Sequence, residues 1–139
     1  MVDLLNFYSV SVKEFISVAH SLPSEVFSKA KHLHGATFAV IVSAYAAQLD
    51  ENNLVIDMVK LKTILQDTLE ILDYQNLDEI PHFAGKLTTT EFLAKYIFDS
   101  LRDKLNQLRS EGQINPSLKY LKIELKETDL LSASYFGKL

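Results

Sequence analysis

The chain contains no cysteine. Disulfides, thiolate metal sites and cysteine nucleophiles are therefore excluded. An excess of basic charge is missing as well: 14 Lys and Arg stand against 18 Asp and Glu, a formal net charge of −4. That balance gives no general attraction for nucleic acid or for an anionic membrane, and neither is expected as a partner. There is no basic stripe with interleaved aromatics. Long apolar runs are absent too. The most apolar stretch, 36–49, is shorter than the about 20 residues a membrane span takes. The N-terminal Met-Val-Asp-Leu-Leu has no basic region followed by an apolar core, so it does not read as a signal peptide. A reducing cytoplasm is permitted, and a cytoplasmic location is the expectation. No glycine-rich phosphate loop, Gly-x-Ser-x-Gly elbow, repeat or low-complexity segment occurs.

What is present suits one domain over residues 1–139, with 47% hydrophobic and 23% charged residues. A chain of this length buries roughly two-thirds of its unfolded surface and needs no staple. Residues 4–20 alternate as a strand, with Leu4, Tyr8, Val10, Val12, Ile16, Val18 and His20 on one parity. Pro23-Ser24 opens a connecting segment. Residues 36–49 read as a second strand whose two faces are both apolar, Phe38, Val40 and Val42 against Ala39, Ile41 and Tyr45. Such a strand needs cover on both sides, by helices on one and by a second subunit or sheet on the other. Asp50 to Asn53 is a turn in which Asn53 tolerates positive φ.

Asp57 caps a helix to about Leu72, with Met58, Leu61, Leu65, Leu69 and Leu72 on one face. The stretch 73–85 is polar and reads as a loop. A second helix starts at Thr88, which has capping-box spacing with Glu91. Its buried stripe is Leu93, Ile97, Leu101, Leu105 and Leu108, and Gly112 and Pro116 end it. Residues 118–127 alternate again, with Glu127 on the inward parity of Leu121, Ile123 and Leu125. A short strand over 131–136 completes a ββααββ order. This is an α+β architecture, a four-stranded antiparallel sheet with two helices on one face.

Three of the four histidines gather near the first two strands: His20 ends one run, and His32 and His34 lie two apart before the next. Imidazoles meeting at neighbouring strand ends suggest a zinc site. Against simple metal chemistry stands Ala36, which binds nothing. Glu127, if buried, must find hydrogen-bond donors, since burying a bare carboxylate is costly.

The segments in order resemble the 6-pyruvoyl-tetrahydropterin synthase family, which includes the bacterial 6-carboxytetrahydropterin synthases. Phe15-Ile16-Ser17-Val18-Ala19-His20 is similar to Phe-Ser-Ala-Ala-His, with one residue extra. His34-Gly35-Ala36-Thr37-Phe38 stands where the family has His-Gly-His-Asn-Tyr. Leu54 to Met58 resembles Met-Val-x-Asp-Phe, and Leu72 to Asp78 resembles Leu-Asp-His-x-x-Leu-Asn. Thr89-Thr90-Glu91-Phe92 resembles Thr-Thr-Glu-Asn, and Glu127-Thr128 with Ala133-Ser134-Tyr135 resembles the C-terminal Glu-Thr and Ala-x-Tyr.

The resemblance implies a tunnelling fold, in which sheets of several subunits close an oligomeric barrel, a trimer or hexamer. It implies a zinc on three histidines, a cysteine base with an Asp-His relay, and a glutamate anchoring the pterin ring. Carried over by position, His20 and His34 are two zinc ligands and the third position is Ala36, with His32 as a substitute ligand. The cysteine position is Ala30. The relay aspartate is Asp73, and its histidine is Tyr74. The ring anchor is Glu127, with Thr89, Thr90 and Glu91 beside it as substrate-binding residues. Tyr74 and Phe92 stand in for polar family residues and are expected to fill the emptied pocket.

The expectation is a divergent homologue that keeps a pterin- or purine-type ring pocket, has lost most of the lyase machinery, and binds zinc weakly or not at all. Two alternatives remain open: an active carbon-oxygen or carbon-carbon lyase on dihydroneopterin triphosphate with a rearranged metal site, and a non-catalytic oligomeric scaffold.

Overall fold

A computed structural model describes residues 2–139. Two long strands, β1 (Tyr8–His20) and β2 (His34–Ala46), pair antiparallel over their whole length, from Tyr8↔Ala46 to His20↔His34. Period-two alternation sets the pairing: Ile16, Val18, Phe38, Val40 and Val42 all point to the buried face. Helix α1 (Met58–Leu69) follows, then β3 (Gln75–Asn76), α2 (Thr90–Ser110), β4 (Leu118–Lys126) and β5 (Ser132–Lys138). The sheet order is β3-β1-β2-β4-β5. Both helices pack on the same side of it, and their leucine stripes meet the buried side chains of β1, β2 and β4 in one core.

The α+β order is as the sequence implies, with differences at the ends of elements. The sheet has a fifth strand, the two-residue β3, which runs parallel to β1 at Val18↔Gln75 and Ala19↔Asn76. It lies in the stretch 73–85 expected to be a loop, which also holds two short 3₁₀ turns, Leu77–Glu79 and Pro81–Phe83. The first strand begins at Tyr8 rather than at residue 4, and Leu4 lies outside it. Met58 is 54% exposed and leaves the α1 stripe, whose first buried residue is Leu61. Asp57 caps α1 as expected, accepting the amides of Val59 (2.9 Å) and Lys60 (3.3 Å).

The second helix begins one residue later than its capping-box spacing predicts. Thr89 is the cap, and its hydroxyl accepts the Phe92 amide at 3.1 Å. The Thr88–Glu91 box does not form. Thr88 is buried and its side chain is engaged elsewhere. On the side of the sheet away from the helices, Phe15 is 60% exposed, and Ala39, Ile41 and Tyr45 are only partly covered. Tyr45, Tyr120 and Phe136 form a continuous aromatic patch on that face, with ring centroids 5.5–5.7 Å apart. No helix of the described residues is long and apolar enough to cross a membrane.

Candidate functional site

The end of β1 and the start of β2 bring two histidines together because the register pairs His20 with His34. Their ring centroids are 4.6 Å apart. Each ring is held through Nδ1. That of His34 lies 2.8 Å from the carbonyl oxygen of His32. A carbonyl only accepts, so Nδ1 of His34 donates to it and Nε2 is the nitrogen left for another partner. Nδ1 of His20 lies 3.0 Å from the Thr88 hydroxyl. His20 is 4% exposed. Burial pushes its pKa below the usual 6.5, and the neighbouring His34 pushes the same way, against the Thr88 bond and the charges of Asp78 and Glu127. Burial thus favours the neutral form of His20, the form that binds metals.

The third family ligand position, Ala36, shares the face of His34 on β2 and sits opposite Val18. It contributes a half-buried methyl group. Among the described residues no group of three His, Cys, Asp or Glu could hold a metal ion. The donor set is therefore one short of the three protein ligands that a catalytic zinc takes, and a three-histidine zinc does not fit these residues. His32 does not supply the missing donor. Its side chain is exposed in the connection between the strands, and what it contributes is the carbonyl that orients His34.

The other carried-over positions separate. Ala30 lies in the 3₁₀ segment Glu25–Lys31, where its carbonyl accepts the Leu22 amide at 3.1 Å. Asp73 places Oδ1 2.9 Å from the Ser17 amide, and the Tyr74 amide donates to the Ser17 carbonyl at 2.7 Å. Asp73 thereby clamps the end of α1 to the middle of β1. Tyr74 has φ +58° and is 85% exposed, so in this chain it fills no pocket, contrary to expectation. Phe92 is half-buried, edge-on to Phe83 at 5.7 Å.

Glu127 differs from its expected setting. The strand stops at Lys126, and Glu127 turns away with its amide bonded to the Leu131 carbonyl at 2.9 Å, so its side chain is exposed rather than buried. It still borders a cleft of about 380 Å³ with Thr90 and Glu91 at the start of α2 and with Ser132 and Ala133 of the last strand. Thr89 is not part of that cleft, since its hydroxyl caps α2. Two carboxylates and two hydroxyls bordering a small hollow can accept several NH hydrogen bonds from a flat heterocycle.

Three features near the histidines carried no sequence signal. Thr88 reads as a helix cap and the His32 carbonyl is a backbone group. Asp78 falls at the end of the Leu72–Asp78 motif in a stretch read as a loop, and its hold on Ser21 through the Ser21 amide (3.1 Å) and hydroxyl (2.6 Å) is not visible there.

Comparison with known proteins matches the 6-pyruvoyl tetrahydropterin synthase family model to residues 9–138. A 6-pyruvoyl tetrahydrobiopterin synthase of Pongo abelii is 28% identical over 142 residues, covering 93% of this chain and 91% of that protein. A 6-carboxy-5,6,7,8-tetrahydropterin synthase of Bacillus subtilis is 25% identical over 99 residues, covering 69% of this chain and 66% of its own. Among solved structures, that of Caenorhabditis elegans 6-pyruvoyl tetrahydropterin synthase superposes with a TM-score of 0.75 at 25% identity, over 98% of this chain and 99% of that one. The tunnelling fold is therefore the fold of this chain. With the sheet order, the paired histidines and a family match over nearly the whole length, the chain belongs to the 6-pyruvoyl tetrahydropterin synthase family.

Proposed function

We propose that this chain is a divergent member of the family that binds a pterin- or purine-type ring in the Glu127–Thr90–Glu91 cleft and does not carry out the usual lyase reaction. The observation that carries the reading is Ala36 beside an otherwise ordered His20–His34 pair. The two imidazoles keep their orienting hydrogen bonds while the third donor is a methyl group. The proton-transfer positions point the same way. Ala30 has no group that can take a proton, Tyr74 presents an exposed phenol where the family has an imidazole, and the Asp73 carboxylate is tied to a backbone amide. With neither a thiol nor an imidazole at these two positions, the family's agents for abstracting a carbon-bound proton are missing.

The ring-binding half is better equipped. Glu91 and Glu127 accept from ring and exocyclic NH groups, and Thr90 offers a hydroxyl from the first turn of α2. The chain acts as a homo-oligomer in this reading. The partly covered apolar face and the free edges of β5 and of β1 beyond β3 support assembly into a closed barrel, a trimer or hexamer. Zinc, if held at all, is held weakly by two ligands.

Titration of the purified protein with a fluorescent pterin, alongside Glu127→Ala, tests the reading. Saturable binding lost in the variant is the expected result. Absent binding in both removes the ring pocket. About one tightly held zinc per chain together with turnover of dihydroneopterin triphosphate would instead establish an active lyase.

A further inference from the structure

On the flank of α2 that carries Phe92, Tyr96 and Asp99 lies a second hollow of about 400 Å³. Its walls are rings: His82 and Tyr96 at 5.5 Å between centroids, Phe92, and Tyr135 from β5. Phe83 supports them from beneath, 4.9 Å from Tyr96 and 5.7 Å from Phe92, both edge-on. A wall of edges and faces at these spacings favours a flat aromatic guest.

Four charged side chains rim the hollow, and they are not equivalent. Lys95 is neutralised by Asp99 at 2.9 Å and lies 5.2 Å over the Tyr135 ring. Lys86 lies 6.0 Å over the Phe92 ring and forms no ion pair among the described residues. Glu91 likewise has no cationic partner, and the two do not pair with each other. One free positive and one free negative charge thus stand at the mouth of a cavity lined with aromatic rings. A ligand that carries only an anion, or only a cation, leaves one of them unanswered.

We infer that this hollow is a binding site for a small aromatic zwitterion, an aromatic α-amino acid or its chemical equivalent. The ring stacks among Phe92, Tyr96 and Tyr135, the carboxylate meets Lys86 and the ammonium meets Glu91. The site is distinct from the Glu127 cleft, although Glu91 borders both. Glu91 is the one residue the two hollows share, so a ring held by it in the Glu127 cleft would compete with the ammonium bound here.

The chain has no tryptophan, so the fluorescence of added L-tryptophan reports binding without background. Its anisotropy should rise and saturate with a Kd on the order of 1 mM. Indole-3-propionate, which lacks the ammonium, and tryptamine, which lacks the carboxylate, should each bind about tenfold more weakly. Lys86→Gln should weaken L-tryptophan about tenfold and leave tryptamine unchanged. Tyr96→Ala should abolish binding of all three, and Glu127→Ala should change none. Lys86 is exposed, so its variant keeps the test available if Tyr96→Ala fails to fold. No saturable rise, equal binding of the three compounds, or loss in Glu127→Ala with Lys86→Gln unaffected would each overturn the assignment.

Discussion

The Thr88 hydroxyl sits 3.0 Å from Nδ1 of His20, across 68 positions of sequence, and so fixes a ring that is almost wholly buried. His34 is fixed in the same way by the His32 carbonyl. Each ring of the pair is thus held through Nδ1 by a partner that lies outside the two paired strands.

Restoring the missing donor should restore the metal. Ala36→His places an imidazole on the same face of β2 as His34, two residues on. The variant is expected to retain about one zinc per chain after exhaustive dialysis, where the parent retains little. Adding Thr88→Val should then weaken zinc binding by roughly 10- to 100-fold, because the orienting bond to His20 is lost. Elemental analysis and competition with a chromophoric chelator measure both. A variant that stays metal-free would mean that the His20 and His34 lone pairs do not converge beside position 36.

Asp73 is predicted to matter for stability. Removing its carboxylate in Asp73→Ala frees the Ser17 amide and should cost about 1–2 kcal/mol. Asp73→Asn keeps an acceptor oxygen and should cost less. Urea midpoints of the two variants decide the point, and equal, negligible losses would show that the clamp carries no weight.

Gly137 is required by close approach. A Cβ built there would lie 2.5 Å from Cζ of Phe98 and 2.9 Å from its Cε2. Phe98 is itself buried and packed against Tyr135 at 4.8 Å, so it has little room to move. Gly137→Ala should therefore destabilise by about 1–3 kcal/mol. Thermal melting would show this as a drop of several degrees, and an unchanged melting temperature would count against the packing described.

His20 gives the stability a pH dependence of definite sign. Its folded pKa lies below the unfolded value of 6.5, first through burial and then through His34. Above 6.5 both states are neutral there and the residue contributes no pH dependence. As pH falls below 6.5 the unfolded chain takes up the proton first, so stability drops until the folded pKa is reached. The urea midpoint of the parent should fall across that window more steeply than that of His20→Asn. Parallel profiles would refute the assignment.

The resemblance and the periodicities carry much of this into the sequence. The even parity of β1 and β2 put Ile16, Phe38, Val40 and Val42 inside, and the α2 stripe from Leu93 to Leu108 is buried as spaced. Period two and period 3.6 are properties of one element against its own core, so they survive in the bare sequence.

What only the tertiary structure decided is which distant group each polar side chain meets. Thr88 has the spacing of a helix cap, yet the turn before α2 carries it under His20, and Thr89 takes the capping role. Glu127 continues the parity of β4, but parity persists only while the strand does, and the chain turns one residue too early to bury it. Asp73 has the look of a relay and serves as a backbone clamp. Hydrogen bonds are short-range and directional, so they depend on three-dimensional placement to within a few tenths of an ångström. Hydrophobic burial depends only on which side a residue faces, and that much is written locally in the chain.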